Sequence, residues 1–144
     1  MLTDKLKKYL EENADSALPE FQEKIKNVFK NKLGLTEKIN GSFLEFMIKY
    51  SDEYYGRYSY IMDVANDILD IDTSYTKSLW NNFNVPQNYI SLYNGELDDY
   101  LLYDKETDMV VLIEEGNDIK LKTKTFDKKW DSFNEFLEDF FKLS

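Results

Sequence analysis

The chain has no cysteine and no histidine among its 144 residues. Without cysteine it can form neither a disulfide framework nor a thiolate nucleophile or thiolate metal site. Without histidine it lacks the commonest general base, the commonest zinc ligand and every mechanism that pairs Ser or Cys with His. We therefore expect a protein that is not an enzyme and that carries no catalytic residue, no metal and no cofactor.

Glycine is scarce, and long apolar runs are missing. The five glycines are isolated turn residues, so no glycine-rich phosphate loop is present. No run approaches the roughly 20 apolar residues that a membrane span needs. Residues 1–9 contain Asp4 and several lysines and lack the apolar segment of a signal peptide. These features predict a cytoplasmic protein that does not enter a membrane.

What the chain does have is aromatic and aliphatic residues in regular patterns. Hydrophobic residues make up 42% of the sequence and aromatic residues 16%, enough for a compact core. A length of 144 residues suits one domain, and neither a linker nor an internal repeat divides it. We expect a single domain over residues 1–144.

The second half predicts a sheet closed by a helix. Aromatic and β-branched runs at 89–93, 100–103 and 109–113 alternate with polar turns, which is typical of antiparallel hairpins. Residues 119–125 alternate apolar and polar with period two and predict a further strand. Ser132 and Glu135 have the spacing of a helix capping box. The phenylalanines and leucine behind them form one apolar stripe: Phe133, Phe136, Leu137, Phe140 and Phe141.

The first half predicts helices. Thr3 is a candidate N-cap for a first helix, and Pro19 suits the first turn of a second. Asn40-Gly41 predicts a turn, with Ser42 and Glu45 forming a capping box for a third helix that ends at Gly56. Apolar spacing also predicts helices over 61–69 and 73–83, although 58–61 could instead be a short strand. The expected class is α+β, with a helical N-terminal half packed on a mainly antiparallel sheet closed by a C-terminal helix.

The charge is negative and concentrated. The chain has 28 acidic and 18 basic residues, a net charge of −10, so nucleic acid is an unsuitable ligand. Residues 94–118 hold nine of the acids and one base, Lys105. Because these acids fall in the loops and strand ends of one hairpin region, we expect them on one side of the molecule, where they would attract a basic partner. Solubility alone would also explain them.

The pattern of carboxylates does not predict chemistry. Asp98-Asp99 and Glu114-Glu115 are adjacent pairs, and neighbours on a strand point to opposite faces. Residues 104–108 have the oxygen spacing that begins a calcium loop, but they lack its glycine and its twelfth-position glutamate. A carboxylate-dependent hydrolase would need two converging carboxylates, and a nucleic-acid mimic would need regular acidic spacing. Neither is evident, although both readings stay open.

Aromatic residues suggest a contact surface instead. Tyrosine buries a large area at low entropic cost and is enriched in protein interfaces. We expect Trp80 and Trp130 in the core or at its rim, and six tyrosines to be exposed: Tyr54, Tyr55, Tyr58, Tyr93, Tyr100 and Tyr103.

The C-terminal half resembles the SUKH superfamily, which contains fungal glucan-synthesis regulators and bacterial immunity proteins. Pro86, Tyr89 and Ile90 match its P-x-x-Y-I strand. Its hairpin motif is matched by Tyr100 or Tyr103 with Asp104, Thr107 and Val110, and its closing S-F-x-x-F-L helix by Ser132, Phe133, Phe136 and Leu137. The resemblance covers residues 85–113 and 132–141. Residues 39–50 depart from the family pattern, because they contain neither Leu-Pro nor Gly-Gly.

Together these observations favour a protein-binding domain. For bacterial members the resemblance implies an immunity protein that neutralises a toxin domain by occluding it, and the acids favour a basic, nuclease-type toxin. The alternative is a regulatory scaffold of the glucan-synthesis regulator type. The oligomeric state is left open. The residues expected to contact the partner are Glu96, Asp98, Asp99, Tyr100, Asp104, Glu106 and Asp108.

Overall fold

The computed structural model describes residues 1–116 and 118–143, and it confirms the α+β class. The helices of this part of the chain are α1 (Asp4–Asn13), α2 (Pro19–Asn27), α3 (Glu37–Lys49), α4 (Val64–Leu69), α5 (Tyr75–Asn82), α6 (Asp118–Thr123) and α7 (Phe133–Phe140). The strands are β1 (Tyr54–Gly56), β2 (Ser59–Ile61), β3 (Tyr89–Ser91), β4 (Tyr100–Asp104), β5 (Val110–Ile113) and β6 (Lys128–Trp130). A π-helical turn (Val28–Lys32) continues α2. Within these residues no helix is long and apolar enough to cross a bilayer.

Strands β3 to β6 form one antiparallel sheet in sequence order, and both of its faces are covered. One face carries Ile90, Leu101, Tyr103 and Val110 into the main core with helices α1, α3 and α7. Alternate residues of the same strands pack on the other side in a smaller cluster with α5 and α6: Tyr89, Tyr100, Leu102, Val111 and Ile113. This two-sided burial explains why β4 and β5 read as nearly continuous apolar runs.

Helix α5 closes the outer edge of the sheet at β3. The indole Nε1 of Trp80 donates to the Tyr89 carbonyl oxygen at 2.8 Å. The Ser91 backbone N–H donates to the buried Thr76 hydroxyl at 3.0 Å. These side chains satisfy outward-facing backbone groups that an edge strand would otherwise offer to another chain. Trp80 is half-buried and Trp130 buried, as the sequence predicts.

Helix α7 forms as predicted. The Ser132 hydroxyl accepts from the Glu135 N–H at 3.1 Å, and Glu135 reaches back to the Asp131 N–H, also at 3.1 Å. The four residues of the predicted apolar stripe that lie within α7 are fully buried, whereas Phe141, just beyond its end, is half-buried. The sheet is therefore closed by a phenylalanine-lined helix.

The β1–β2 hairpin packs against the end of α7. The Arg57 N–H donates to the Phe140 carbonyl oxygen at 3.0 Å. A Cβ at Gly56 would lie 2.5 Å from that oxygen and 2.7 Å from the Phe140 ring, so only glycine fits there. Gly56 belongs to this hairpin and does not end the preceding helix, which stops at Lys49. Residues 59–61 form β2, so the strand alternative is the correct one there, and the predicted helix begins at Val64.

The predicted strand over 119–125 is wrong. Residues 118–123 form α6, and the fourth strand is β6, which begins at Lys128. In α6 only Leu121 is buried, whereas Ile119 is 61% exposed. An alternating pattern predicts a strand only when its apolar residues share one buried face, and here they do not. Lysine and leucine are also good helix formers, so this sequence is compatible with a helix.

The predicted capping box at Ser42 is also wrong. Helix α3 begins earlier, with the Thr36 hydroxyl accepting from the Ile39 N–H at 3.4 Å. Asn40 lies inside the helix at a kink, with non-helical φ −109° and ψ 22°. Its side-chain amide donates at 2.8 Å both to the Tyr103 hydroxyl and to the Lys105 carbonyl oxygen. Asn40-Gly41, which the sequence predicts as a turn, therefore lies at a kink within α3 that these tertiary hydrogen bonds stabilise.

Candidate partner-binding surface

Strand β4 divides the seven predicted contact residues into two groups. Glu96, Asp98, Asp99 and Tyr100 lie before or at its start, and Asp104, Glu106 and Asp108 at or after its end. Its five residues span about 16 Å, at roughly 3.3 Å per residue. The structure therefore does not bring the predicted acids together on one side. The loops at the two ends of β4 are separated by the length of the strand.

The carboxylates of Asp104 and Asp108, at or after the end of β4, accept hydrogen bonds that stabilise the fold. The Asp104 carboxylate accepts from the Asn88 side chain and from the Glu106 N–H, both at 3.0 Å. Asp108 accepts from the Tyr103 hydroxyl at 2.7 Å and from the Phe133 N–H at 3.3 Å. Burial raises the pKa of Asp108, and the two hydrogen bonds oppose that effect. Glu106 is the exposed acid of this group.

Further acidic residues, which are not among the seven predicted contact residues, lie near the residues before β4. In the β4–β5 register Tyr100 pairs with Ile113, which places the turn after β5 beside the β3–β4 loop. The Glu115 N–H donates to Asp99 at 3.1 Å across this junction. We call this region the acidic end and define it by six carboxylates: Glu96, Asp98, Asp99, Glu114, Glu115 and Asp118. Reading the hairpin register from the sequence would have found the last three.

The acidic end has little positive charge to balance it. Among the ion pairs of residues 1–116 and 118–143, none involves one of its six carboxylates. Lys120, whose charge interacts with Glu114 and Glu115, pairs with Asp127 at 2.9 Å. That hydrogen bond raises the pKa of Lys120, and Glu114 and Glu115 add to the effect. The acidic end is therefore a concentrated negative surface.

A groove opens at the acidic end, between α5, the β3–β4 loop and the turn after β5. We call it the aromatic groove; its volume is about 600 Å³, and it is lined by Tyr75, Phe83, Gly95, Leu97, Asp98, Tyr100 and Glu115. Phe83 is 50% and Leu97 36% exposed, so apolar surface lies directly beside two carboxylates. The sequence predicts Phe83 as the last residue of a helix over 73–83, but it follows the last residue of α5 and its side chain is exposed. Exposed apolar groups rimmed by charge are typical of binding surfaces.

Most of the tyrosines expected at the surface are not there. Tyr93, Tyr100 and Tyr103 are buried, Tyr54 and Tyr58 are half-buried, and Tyr55 is exposed. The buried rings belong to the sheet core. The Tyr93 hydroxyl donates to the Tyr58 carbonyl oxygen and the Tyr103 hydroxyl to Asp108, both at 2.7 Å. The Tyr55 hydroxyl donates to Glu53, which raises its pKa, and Glu96 contributes to the same shift. Of the six tyrosines predicted to be exposed, Tyr55 is therefore the one at the surface.

Comparison of the chain with models of protein families, with curated proteins and with solved structures gave no match.

Proposed function

We propose that this chain is a non-enzymatic, cytoplasmic immunity protein that neutralises a basic, nuclease-type toxin domain by occluding it. One observation carries the proposal: six carboxylates and an exposed aromatic groove share one end of the molecule. Nuclease-type toxins bind phosphate and therefore present clustered Lys and Arg. A negative surface with apolar anchors at its centre is complementary to such a surface.

Neutralisation would proceed by docking alone. The acidic end draws a basic partner toward itself, and steering of this kind raises association rates by roughly 10- to 1000-fold. Phe83 and Leu97 then supply apolar contacts that slow dissociation. The Phe83 N–H donates to the Leu79 carbonyl oxygen at 3.1 Å, which ties Phe83 to the end of α5 before binding and reduces the ordering entropy lost on docking.

The test is co-expression with the product of the neighbouring gene, which the proposal expects to be a toxin, followed by kinetics with the purified pair. We expect the wild-type chain to restore growth. Asp98→Lys combined with Glu115→Lys should lower the association rate constant by roughly tenfold or more at low salt. The matched control is Glu106→Lys, an exposed acid at the opposite end of β4, which should change the rate far less.

Two results would overturn the proposal. The first is a complex whose association rate is insensitive to charge reversal at the acidic end. The second is a neighbouring gene product that is harmless to the cell and that the chain positions on another protein, which would favour the regulatory scaffold instead.

A further inference from the structure

We infer that the aromatic groove binds one arginine side chain of the partner. This inference rests on the proposed function and names the contact at its centre. The groove presents three aromatic rings, from Tyr75, Phe83 and Tyr100, together with the carboxylates of Asp98 and Glu115. Its volume of about 600 Å³ falls within the range of roughly 300–1,000 Å³ that is typical of small-ligand sites.

The walls of the groove are held in place before any ligand arrives. The Tyr75 N–H donates to the Asp67 carboxylate at 2.9 Å, which fixes the start of α5. The Tyr75 ring lies against Gly95, where a Cβ would come within 2.8 Å of it. Gly95 has φ +90°, so glycine suits this position in backbone conformation as well as in space. The Tyr75 ring is therefore held against Gly95 before any ligand binds.

The two carboxylates flank the groove from different segments. Asp98 belongs to the β3–β4 loop and Glu115 to the turn after β5, and the Glu115 N–H bond to Asp99 ties these segments together. Both side chains are exposed. No lysine or arginine is among the described residues that line the groove. A cation entering it would thus meet negative charge with no competing internal cation.

Aromatic faces beside carboxylates favour arginine over lysine. A guanidinium is planar, stacks on aromatic rings and donates two parallel hydrogen bonds to a carboxylate. It is also more weakly hydrated than an ammonium, so it loses less hydration free energy on entering a groove lined by aromatic rings. Phe83 and Leu97 provide apolar surface for the aliphatic part of the arginine chain.

The test is a titration of the full chain with Nα-acetyl-arginine amide, followed by amide chemical shifts in two-dimensional NMR. The matched probe is the citrulline amide, which has nearly the same shape but no charge. We expect arginine amide to shift signals around Gly95–Tyr100 and Phe83, lysine amide to bind more weakly, and citrulline amide to leave these signals unchanged. Asp98→Asn combined with Glu115→Gln should weaken arginine binding roughly fivefold, since exposed charge pairs each contribute modestly. Glu106→Gln should leave it unchanged.

Equal shifts with arginine and citrulline amides, no shifts with either, or shifts that persist unchanged in the double variant would overturn the inference. The same spectra show whether each variant is folded. The titration contains no toxin, so the two proposals fail separately. Arginine binding without toxin neutralisation would remove the proposed function alone, and neutralisation without arginine binding would remove this contact alone.

Discussion

Asp139 on α7 is a residue through which three elements are joined. Its Oδ2 accepts from the Tyr58 hydroxyl at 2.7 Å and from the Trp130 indole N–H at 2.9 Å. Arg57 Nε lies 3.1 Å from Oδ1, and Lys128 Nζ lies 3.9 Å from Oδ2. Burial by itself raises the pKa of Asp139, but these hydrogen bonds and cations together bring it below its usual value. One carboxylate thus connects the β1–β2 hairpin, β6 and α7.

Asp139→Ala should destabilise the fold by about 2 kcal/mol at neutral pH, because it leaves the Trp130 and Tyr58 donors without their acceptor. Urea unfolding followed by circular dichroism measures the change. Asp131→Ala is the control, since Asp131 is exposed and contacts Lys129 at 3.7 Å in a loose ion pair. Equal stability of the two variants would mean that the Asp139 contacts contribute nothing.

The pKa of Asp67 is shifted in the opposite direction to that of Asp139. Burial raises its pKa, while backbone hydrogen bonds from Tyr75 and Thr76 oppose the shift, and its Oδ2 has no hydrogen-bond partner among the described residues. A carboxyl whose pKa is higher in the folded than in the unfolded state stabilises the fold at low pH. That contribution is lost as pH rises through the folded value.

Asp67→Asn should therefore become progressively more stable relative to wild type as pH rises from about 4, near the unfolded aspartate pKa, and then level off above the folded value. Urea unfolding at a series of pH values gives this difference. Asp70→Asn, at an exposed aspartate three residues further on, is the control. A flat difference for Asp67→Asn would show that burial does not shift its titration.

Among the elements, α5 covers the β3 edge of the sheet. Its buried Thr76 hydroxyl accepts a hydrogen bond from the Ser91 N–H. Thr76→Val keeps the shape of the side chain but removes the acceptor of the Ser91 N–H. An unpaired buried donor costs about 1–3 kcal/mol, so we expect a loss of that size in thermal or urea unfolding. Thr73→Val, at an exposed position, should stay within about 0.5 kcal/mol of wild type. A Thr76→Val protein as stable as the control would contradict the edge-closing role.

The elements that the sequence predicts well are those whose signals are local. Ser132 and Glu135 fix the start of α7, and its apolar stripe is long enough to fix its type. Helix α6 has only six residues, and its alternation of lysine and apolar residues fits two periodicities equally well. Only the tertiary environment, which buries Leu121 and leaves Ile119 exposed, decides between them.

The candidate site was only half predictable, for a related reason. The acids of the β3–β4 loop are evident in the sequence, and they do lie at the acidic end. Whether Asp104 or Glu115 joins them depends on which ends of β4 and β5 lie side by side, and this is set by the Tyr100–Ile113 register. The exposure of Phe83 likewise depends on where α5 ends, one residue earlier.

At the scale of the whole molecule, the net charge of −10 is unevenly distributed. Six carboxylates at one end repel one another in the folded state and separate on unfolding. Added salt shortens the range of this repulsion, from a Debye length of about 30 Å at 0.01 M to about 8 Å at 0.15 M. The acidic end is thus a source of electrostatic strain as well as the proposed partner surface.

We therefore expect the free energy of unfolding at pH 7 to rise as sodium chloride is added up to about 0.15 M. The rise should be smaller in Asp98→Asn combined with Glu115→Gln than in Glu106→Gln, whose carboxylate lies at the other end of β4. Urea unfolding at several salt concentrations provides the measurement. Stability that falls with salt in every variant would instead indicate that attractive ion pairs dominate.

Because α5 covers the outer edge of β3, it also limits how another chain could bind at that edge. With the Tyr89 carbonyl and the Ser91 N–H already occupied, a visiting chain cannot extend the sheet at that edge through its backbone. Under the proposed function, recognition beside this edge relies on exposed side chains such as Phe83, Leu97 and Asp98. Because these side chains are exposed, substitutions there can change the proposed specificity while the fold stays constant.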